Sequence, residues 1–234
     1  MICKTEAIVL KTLKFKESSL IASLYTLDKG RNDFIIHAAR SVSKKNPQVP
    51  IQIGSYLEII YYHKSTRELQ TLTQSSPIKL YNELYSSPIK ILYATLLAEI
   101  AYYALKESES NEAVFQVLKN AYIQLDTQPN GHFLLLIQFL LNLAQLLGFQ
   151  IQNQSTNPNE PLILDIQNGT ISNTTTFQHN SIVHSLLLLI ENQSDTISNS
   201  HKKPLLDLLF QYYQCHVPNF RIPKSLSVFQ TVFQ

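Results

Sequence analysis

The sequence predicts an α+β protein, with a five-stranded β-barrel at the N-terminus followed by an α-helical domain that carries an inserted β-hairpin. Two observations carry this reading. The first eighty residues break into five short β-rich runs separated by turn signals, and five strands in so short a stretch fit an OB-fold barrel. After Pro77 the apolar residues change to helical spacing and return to it after one polar interruption. The expected domains are 1–80 for the barrel and 81–234 for the helices, with the hairpin near 160–175.

The strands follow in order. EAIVLKTL is β-rich and runs into a lysine-bearing turn, KFKE. LIASLYT alternates and stops at Asp28-Lys29-Gly30, a tight-turn signal, and DFIIHAA returns as its hairpin partner. A basic, proline-ended segment then holds Arg40, Lys44 and Lys45 with no acid among them. YLEIIYYH and ELQTLTQ come next, joined by Lys64-Ser65-Thr66-Arg67.

The helices have their own signals. Ser87-Pro88 is an N-cap with proline at the first helical position, and Ile89, Leu92, Tyr93, Leu96, Ile100 and Tyr103 recur behind it. A second helix starts near Asn111, puts Val114, Phe115, Leu118, Tyr122 and Leu125 on one face, and breaks at Pro129-Asn130-Gly131. The third runs to about Gly148. Its body, FLLLIQFLLNLAQLLGF, is apolar enough to mimic a membrane span. Gln138, Asn142 and Gln145 stand four and three apart, however, which gathers them into one polar stripe and predicts the central helix of a soluble bundle. Asn168-Gly169 within LILDIQNGTIS marks the hairpin. SIVHSLLLLIEN, KPLLDLLFQYYQCH and a short run around SLSVFQTVF complete the helices.

Charge is sparse and uneven. Charged residues make up 15% of the 234, against a usual level of about 25%. Residues 1–80 carry twelve Lys and Arg against six Asp and Glu, whereas the remainder carries seven against eleven. A basic front and an acidic back suggest two modules with different partners, although chance scatter on a soluble surface gives the same count. Cys3 and Cys215 stand at opposite ends, which excludes a disulfide framework and a thiolate zinc site. The start MICKTEAIVLKTLK lacks the long apolar core of a signal peptide, so a reducing cytoplasm is expected.

Nothing in the sequence predicts an active site or a cofactor. There is no phosphate-binding glycine loop, no G-x-S-x-G and no H-E-x-x-H, and the seven histidines are scattered. The basic residues do form a pattern. Lys14 and Lys16 lie at the first connection, Lys29 and Arg31 at the second, Arg40, Lys44 and Lys45 at the third, and Lys64 and Arg67 at the fourth. Strand bodies stay apolar while connections carry positive charge, an arrangement that attracts a phosphate backbone if the loops gather over one groove. On YLEIIYYH, Tyr56 and Tyr62 share the face that Glu58 marks as the wetter one, and they are candidates for stacking on bases. The competing reading packs them against the helices.

The residues TEAIVLKTLKFKESSLIASLYTLDKGRNDFIIHAARS resemble the opening of the bacterial recombination mediator family RecO. They give a strand, a turn ending in Glu17-Ser18, a strand ending in LYT, a turn at Gly30 and a strand leading to Ala38-Ala39-Arg40-Ser41. LEIIYYHKSTRELQTL and YYQCHVPNFRIPKSLSVF are similar too, especially to Bacteroidetes members. Where the family usually has glycine, this chain has Lys16 and Ala38. Many members carry a four-cysteine zinc site in the helical domain, and the matching stretch QIQNQSTNPNEPLILDIQNGTIS has no cysteine, so the hairpin is expected without metal.

The resemblance implies binding to single- and double-stranded DNA, annealing of complementary strands, and loading of the recombinase RecA together with RecR. It also implies contact with the C-terminal tail of single-stranded DNA-binding protein. Such an acidic, aromatic-ended tail needs local cations, which after Lys119 are Lys202, Lys203, Arg221 and Lys224. Two other classes fit the residues: an OB-fold RNA-binding protein, and an adaptor whose helices hold protein partners.

Overall fold

The computed structural model describes residues 1–37, 51–64, 66–157, 160–174, 181–193 and 196–232. Five strands form a closed barrel: β1 (Ile2–Phe15), β2 (Ser19–Thr26), β3 (Gly30–Ile36), β4 (Tyr56–Tyr62) and β5 (Leu69–Pro77). Their order is β1-β2-β3-β5-β4, closed by the antiparallel β1–β4 pair, with β3 and β5 parallel. This is the expected OB-fold barrel. Alternation fills its interior with Ala7, Val9, Ala22, Leu24, Phe34, Ile36, Leu57, Ile59, Tyr61 and Leu72. Tyr61 meets Phe34 edge-on, with ring centroids 5.1 Å apart.

The barrel belongs to a compact unit of Met1–Gln128 and Pro223–Phe229. That unit includes α1 (Pro88–Ala104), α2 (Glu112–Thr127) and the start of α6 (Ser225–Val232). Pro88 opens α1 and Asn111 caps α2, its side chain accepting from the Val114 N–H at 3.2 Å. All five apolar residues expected on α2 are buried. On α1 the buried face includes Lys90, whereas Ile89 is exposed. Lys90 is tolerated because its Nζ donates to Asp126 O at 2.7 Å and pairs with Glu83 at 2.6 Å. The Asp126 carboxylate accepts from the N–H groups of Asn82, Glu83 and Leu84 and so ties the link after β5 to the end of α2. Burial acts to raise its pKa, and those three donors together with the Lys79 charge outweigh burial and hold it below the ordinary carboxylate value.

The second unit runs from Pro129 to Ile222. It holds α3 (His132–Leu146), β6 (Gln152–Asn153), β7 (Leu162–Asp165), β8 (Thr170–Asn173), α4 (Ser181–Ile190) and α5 (Asn199–His216). Gln138, Asn142 and Gln145 are all exposed on α3, as their spacing predicts. The expected hairpin is β7–β8, turning at Gly169, and β6 adds a third strand parallel to β8. Gly169 has φ +67°, and a Cβ there would overlap the Tyr212 hydroxyl. The fifth helix starts at Asn199, a turn before the lysine-proline start read from the sequence, with Pro204 inside it. His201 pins that first turn to α4 through Nδ1 and Ser185 Oγ, 2.8 Å apart.

Candidate nucleic-acid interface

The outside of the barrel has two kinds of surface. Ile8, Leu10, Tyr25 and Tyr56 are buried, although none of them belongs to the barrel interior. Tyr56 and Tyr25 pack on Phe115 of α2, at 6.1 and 6.4 Å between centroids. A second set of outward residues remains open. Following the strand register around the barrel gives a continuous row: Leu13 faces Ile21, Ile21 faces Ile35, Ile35 faces Thr71, Thr71 faces Tyr62, and Tyr62 faces Ile2. The row leaves β1 at Leu13 and returns to it at Ile2, 13 − 2 = 11 residues away, which measures how strongly the strands are staggered. Leu13, Tyr62 and Ile2 are exposed, and Ile21, Ile35 and Thr71 are half-buried.

Cations stand at both ends of this row. Lys14 adjoins Leu13, and Lys16 occupies the β1–β2 turn; both are exposed. Lys16 has φ +53°, the left-handed region that glycine prefers. At the other end, Lys64 and Arg67 stand in the β4–β5 connection and line a cavity of about 380 Å³ with Tyr62, Leu69, Gln70 and Thr71. Arg67, Leu69 and Thr71 also wall a shallow groove of about 640 Å³ with Ile35, His37, Thr66 and Glu68. Arg67 therefore borders both depressions.

The β4–β5 connection is held by a residue that charge and aromatic patterns do not reveal. Gln70 is only 4% exposed and faces the barrel interior. Its Oε1 accepts from the Lys64 N–H at 2.9 Å, and its Nε2 donates to Lys64 O at 3.1 Å and to Arg67 O. The Arg67 N–H closes the turn on Lys64 O at 3.1 Å. The sequence signal is a glutamine at the inward parity of ELQTLTQ, between outward Leu69 and Thr71.

The structure corrects several of the expected contacts. Arg31 does not face solvent as a phosphate ligand. Its guanidinium pairs with Glu107 at 3.0 Å and lies 4.6 Å over the Tyr102 ring, whose other cation is Lys11 at 4.4 Å. The same segment adds its backbone to β3, with Ser108 N–H donating to Arg31 O at 2.9 Å. The approach is so close that a Cβ on Gly30 would overlap Glu109 O. Tyr56 is not a stacking platform either, because it is buried on Phe115 with its hydroxyl on Glu6. Its pKa is raised, chiefly by burial. Lys29 is exposed in the β2–β3 turn, at the far end of β2 from Lys14 and Lys16, so the loop cations do not share one rim. Arg40, Lys44 and Lys45 lie outside the described residues.

In the second unit, Lys202 stands 5.8 Å over the Phe133 ring, while Lys203 and Arg221 are exposed. Lys224 is exposed too and belongs to the barrel-containing unit. The Ser185–His201 pair has no nucleophilic geometry, since Ser185 Oγ already donates to Ser181 O at 3.0 Å. Among the described residues no group of three or more His, Cys, Asp and Glu is placed to hold a metal ion. Nor, among them, is any helix long and apolar enough to cross a membrane.

Comparisons with known proteins cover the whole arrangement. A family model described as recombination protein O N terminal matches residues 1–81, and one described as recombination protein O C terminal matches residues 85–226. The chain is 31% identical over 241 residues to a DNA repair protein RecO of Christiangramia forsetii, covering all of both chains. It is 29% identical to one of Flavobacterium psychrophilum over 98% of both, and 26% identical to one of Bacteroides fragilis over the full length of both. With a staggered five-stranded barrel, a helical part and these matches end to end, the chain belongs to the RecO family of DNA repair proteins.

Proposed function

We propose that the barrel grips nucleic acid along the open row, with Lys14 and Lys16 meeting phosphates at one end and Lys64 and Arg67 at the other. The observation that carries this is the state of those cations. Lys14, Lys64 and Arg67 enter no ion pair among the described residues, while Arg31, which does, is withdrawn from the surface. Lys29, Arg40, Lys44 and Lys45 are further candidates for phosphate contacts. Such contacts position a strand without reading its sequence. The protein therefore binds single- and double-stranded DNA and anneals complementary strands without bond-making chemistry.

Within recombinational repair it helps load RecA onto DNA covered by single-stranded DNA-binding protein, in the cytoplasm at the nucleoid. RecR and the C-terminal tail of single-stranded DNA-binding protein are its protein partners, with Lys202, Lys203 and Arg221 of the second unit as the cations for the tail. Support for this wider role is family membership. The test is a salt series of DNA binding for Lys14→Glu, Lys64→Glu and Arg67→Glu combined. Affinity falls and the log–log salt slope on a single strand flattens, by about 0.7 per lost phosphate contact. Wild-type affinity and slope in the triple variant overturn the proposal.

A further inference from the structure

We infer that the cavity beside Tyr62 is a slot for one unpaired nucleotide, which makes the barrel prefer single strands to duplex. The inference rests on the nucleic-acid-binding reading above and adds the feature that tells an open base from a paired one. Tyr62 is 49% exposed, and no other Phe or Tyr ring among the described residues is as open. Large aromatic rings are usually buried, so one held in solvent beside two cations calls for a partner. Its position is fixed by the strands: Tyr61 before it is locked in the core, and Tyr62 stands between Ile2 of β1 and Thr71 of β5.

The cavity has the chemistry of a nucleotide. Its volume of about 380 Å³ falls in the range of roughly 300–1,000 Å³ typical of small-molecule sites. Tyr62 offers a ring face, Leu69 apolar surface, Thr71 a hydroxyl, and Lys64 and Arg67 charge for the phosphate. A base in a duplex already has both faces covered by its neighbours, so only an unpaired base gains from the ring. Gln70 holds the backbone of Lys64 and Arg67 before any ligand arrives, which removes part of the ordering cost of binding.

The experiment measures fluorescence anisotropy of the full chain with three probes: an oligothymidylate, an abasic deoxyribose-phosphate strand of the same length, and a blunt duplex. Wild type binds the thymidine strand about 5- to 150-fold more tightly than the abasic strand, the span expected for one stacked base. Tyr62→Ala abolishes that ratio by bringing thymidine-strand binding down to the level of the abasic strand. Tyr62→Phe keeps the ratio, which guards against a folding defect. Lys64→Ala with Arg67→Ala weakens all three probes and preserves the ratio. A ratio of one in wild type, or an unchanged ratio in Tyr62→Ala, overturns the slot while leaving charge-driven binding intact. Absence of binding to all three probes at low salt overturns the nucleic-acid reading itself, and the slot with it.

Discussion

Gln70→Leu isolates the support of the β4–β5 connection from its charge. The substitution conserves approximate volume and removes three hydrogen bonds, two to Lys64 and one to Arg67. A neutral hydrogen bond contributes a net ~0.5–1.5 kcal/mol, so the three together set an upper range of about 1.5–4.5 kcal/mol. Two considerations lower it. Lys64 O keeps the Arg67 N–H as a partner, and the exposed loop lets water reach the groups left behind. Leucine also gains apolar burial beside Leu72 in the interior. The expected loss is therefore about 1–2 kcal/mol. Denaturant unfolding measures this loss, and amide hydrogen exchange locates it, with the Lys64 amide losing protection first. DNA affinity falls by several-fold although no cation has changed, because binding must now order the loop. Unchanged exchange at Lys64 together with wild-type DNA affinity would refute the reasoning.

Three further outcomes are expected. Lys16→Gly relieves a left-handed lysine and raises stability by about 1 kcal/mol on thermal melting, while DNA affinity drops with the lost charge, so the two measurements move in opposite directions. Arg31→Gln costs about 1–3 kcal/mol on denaturant unfolding, because Glu107 loses its ion pair and Tyr102 one of its two cations, yet leaves the salt slope of DNA binding at its wild-type value. Asp126→Asn costs about 2–4 kcal/mol at neutral pH. Because the folded pKa of Asp126 is depressed, its contribution is present above the unfolded value near 3.9 and is lost as pH falls through the folded value. The gap between wild type and variant therefore narrows in acid titrations only below about pH 4.

Much of this was legible in the chain because periodicity reports burial directly. The alternation of YLEIIYYH places Leu57, Ile59 and Tyr61 inside, and the spacing of Gln138, Asn142 and Gln145 marks the wet side of α3. The resemblance in the first forty residues names the same family as the matches along the whole chain. What failed to show were side-chain choices settled by distant partners. Tyr56 and Tyr62 have the same parity on β4 and opposite fates, because Phe115, far away in sequence, covers one and nothing among the described residues covers the other to that extent. Arg31 reads as a loop cation until the segment after α1 brings Tyr102 and Glu107 to it. Strand β6 is two residues long, too short for any period to register.

The sparse charge of the chain bears on the same surface. Besides the few ion pairs, several connections of this protein are ordered by side-chain amides and by carboxylates that bond the backbone. Gln70 holds the β4–β5 connection, and Asn111 caps α2. Asn173 accepts from the N–H groups of Thr156 and Asn157 and donates to Asn157 O at 2.7 Å. Asp165 closes its own turn by accepting from Gln167 and Asn168. Neutral donors serve this purpose as well as charged ones, since exposed ion pairs contribute only about 0–1 kcal/mol each. The consequence falls on the cations. The β4–β5 connection is tied by Gln70, and its cations Lys64 and Arg67 enter no ion pair among the described residues. On the proposed function, replacing the amides by acid–base pairs of equal stability would preserve the fold, add acidic charge to the surface and weaken nucleic-acid binding.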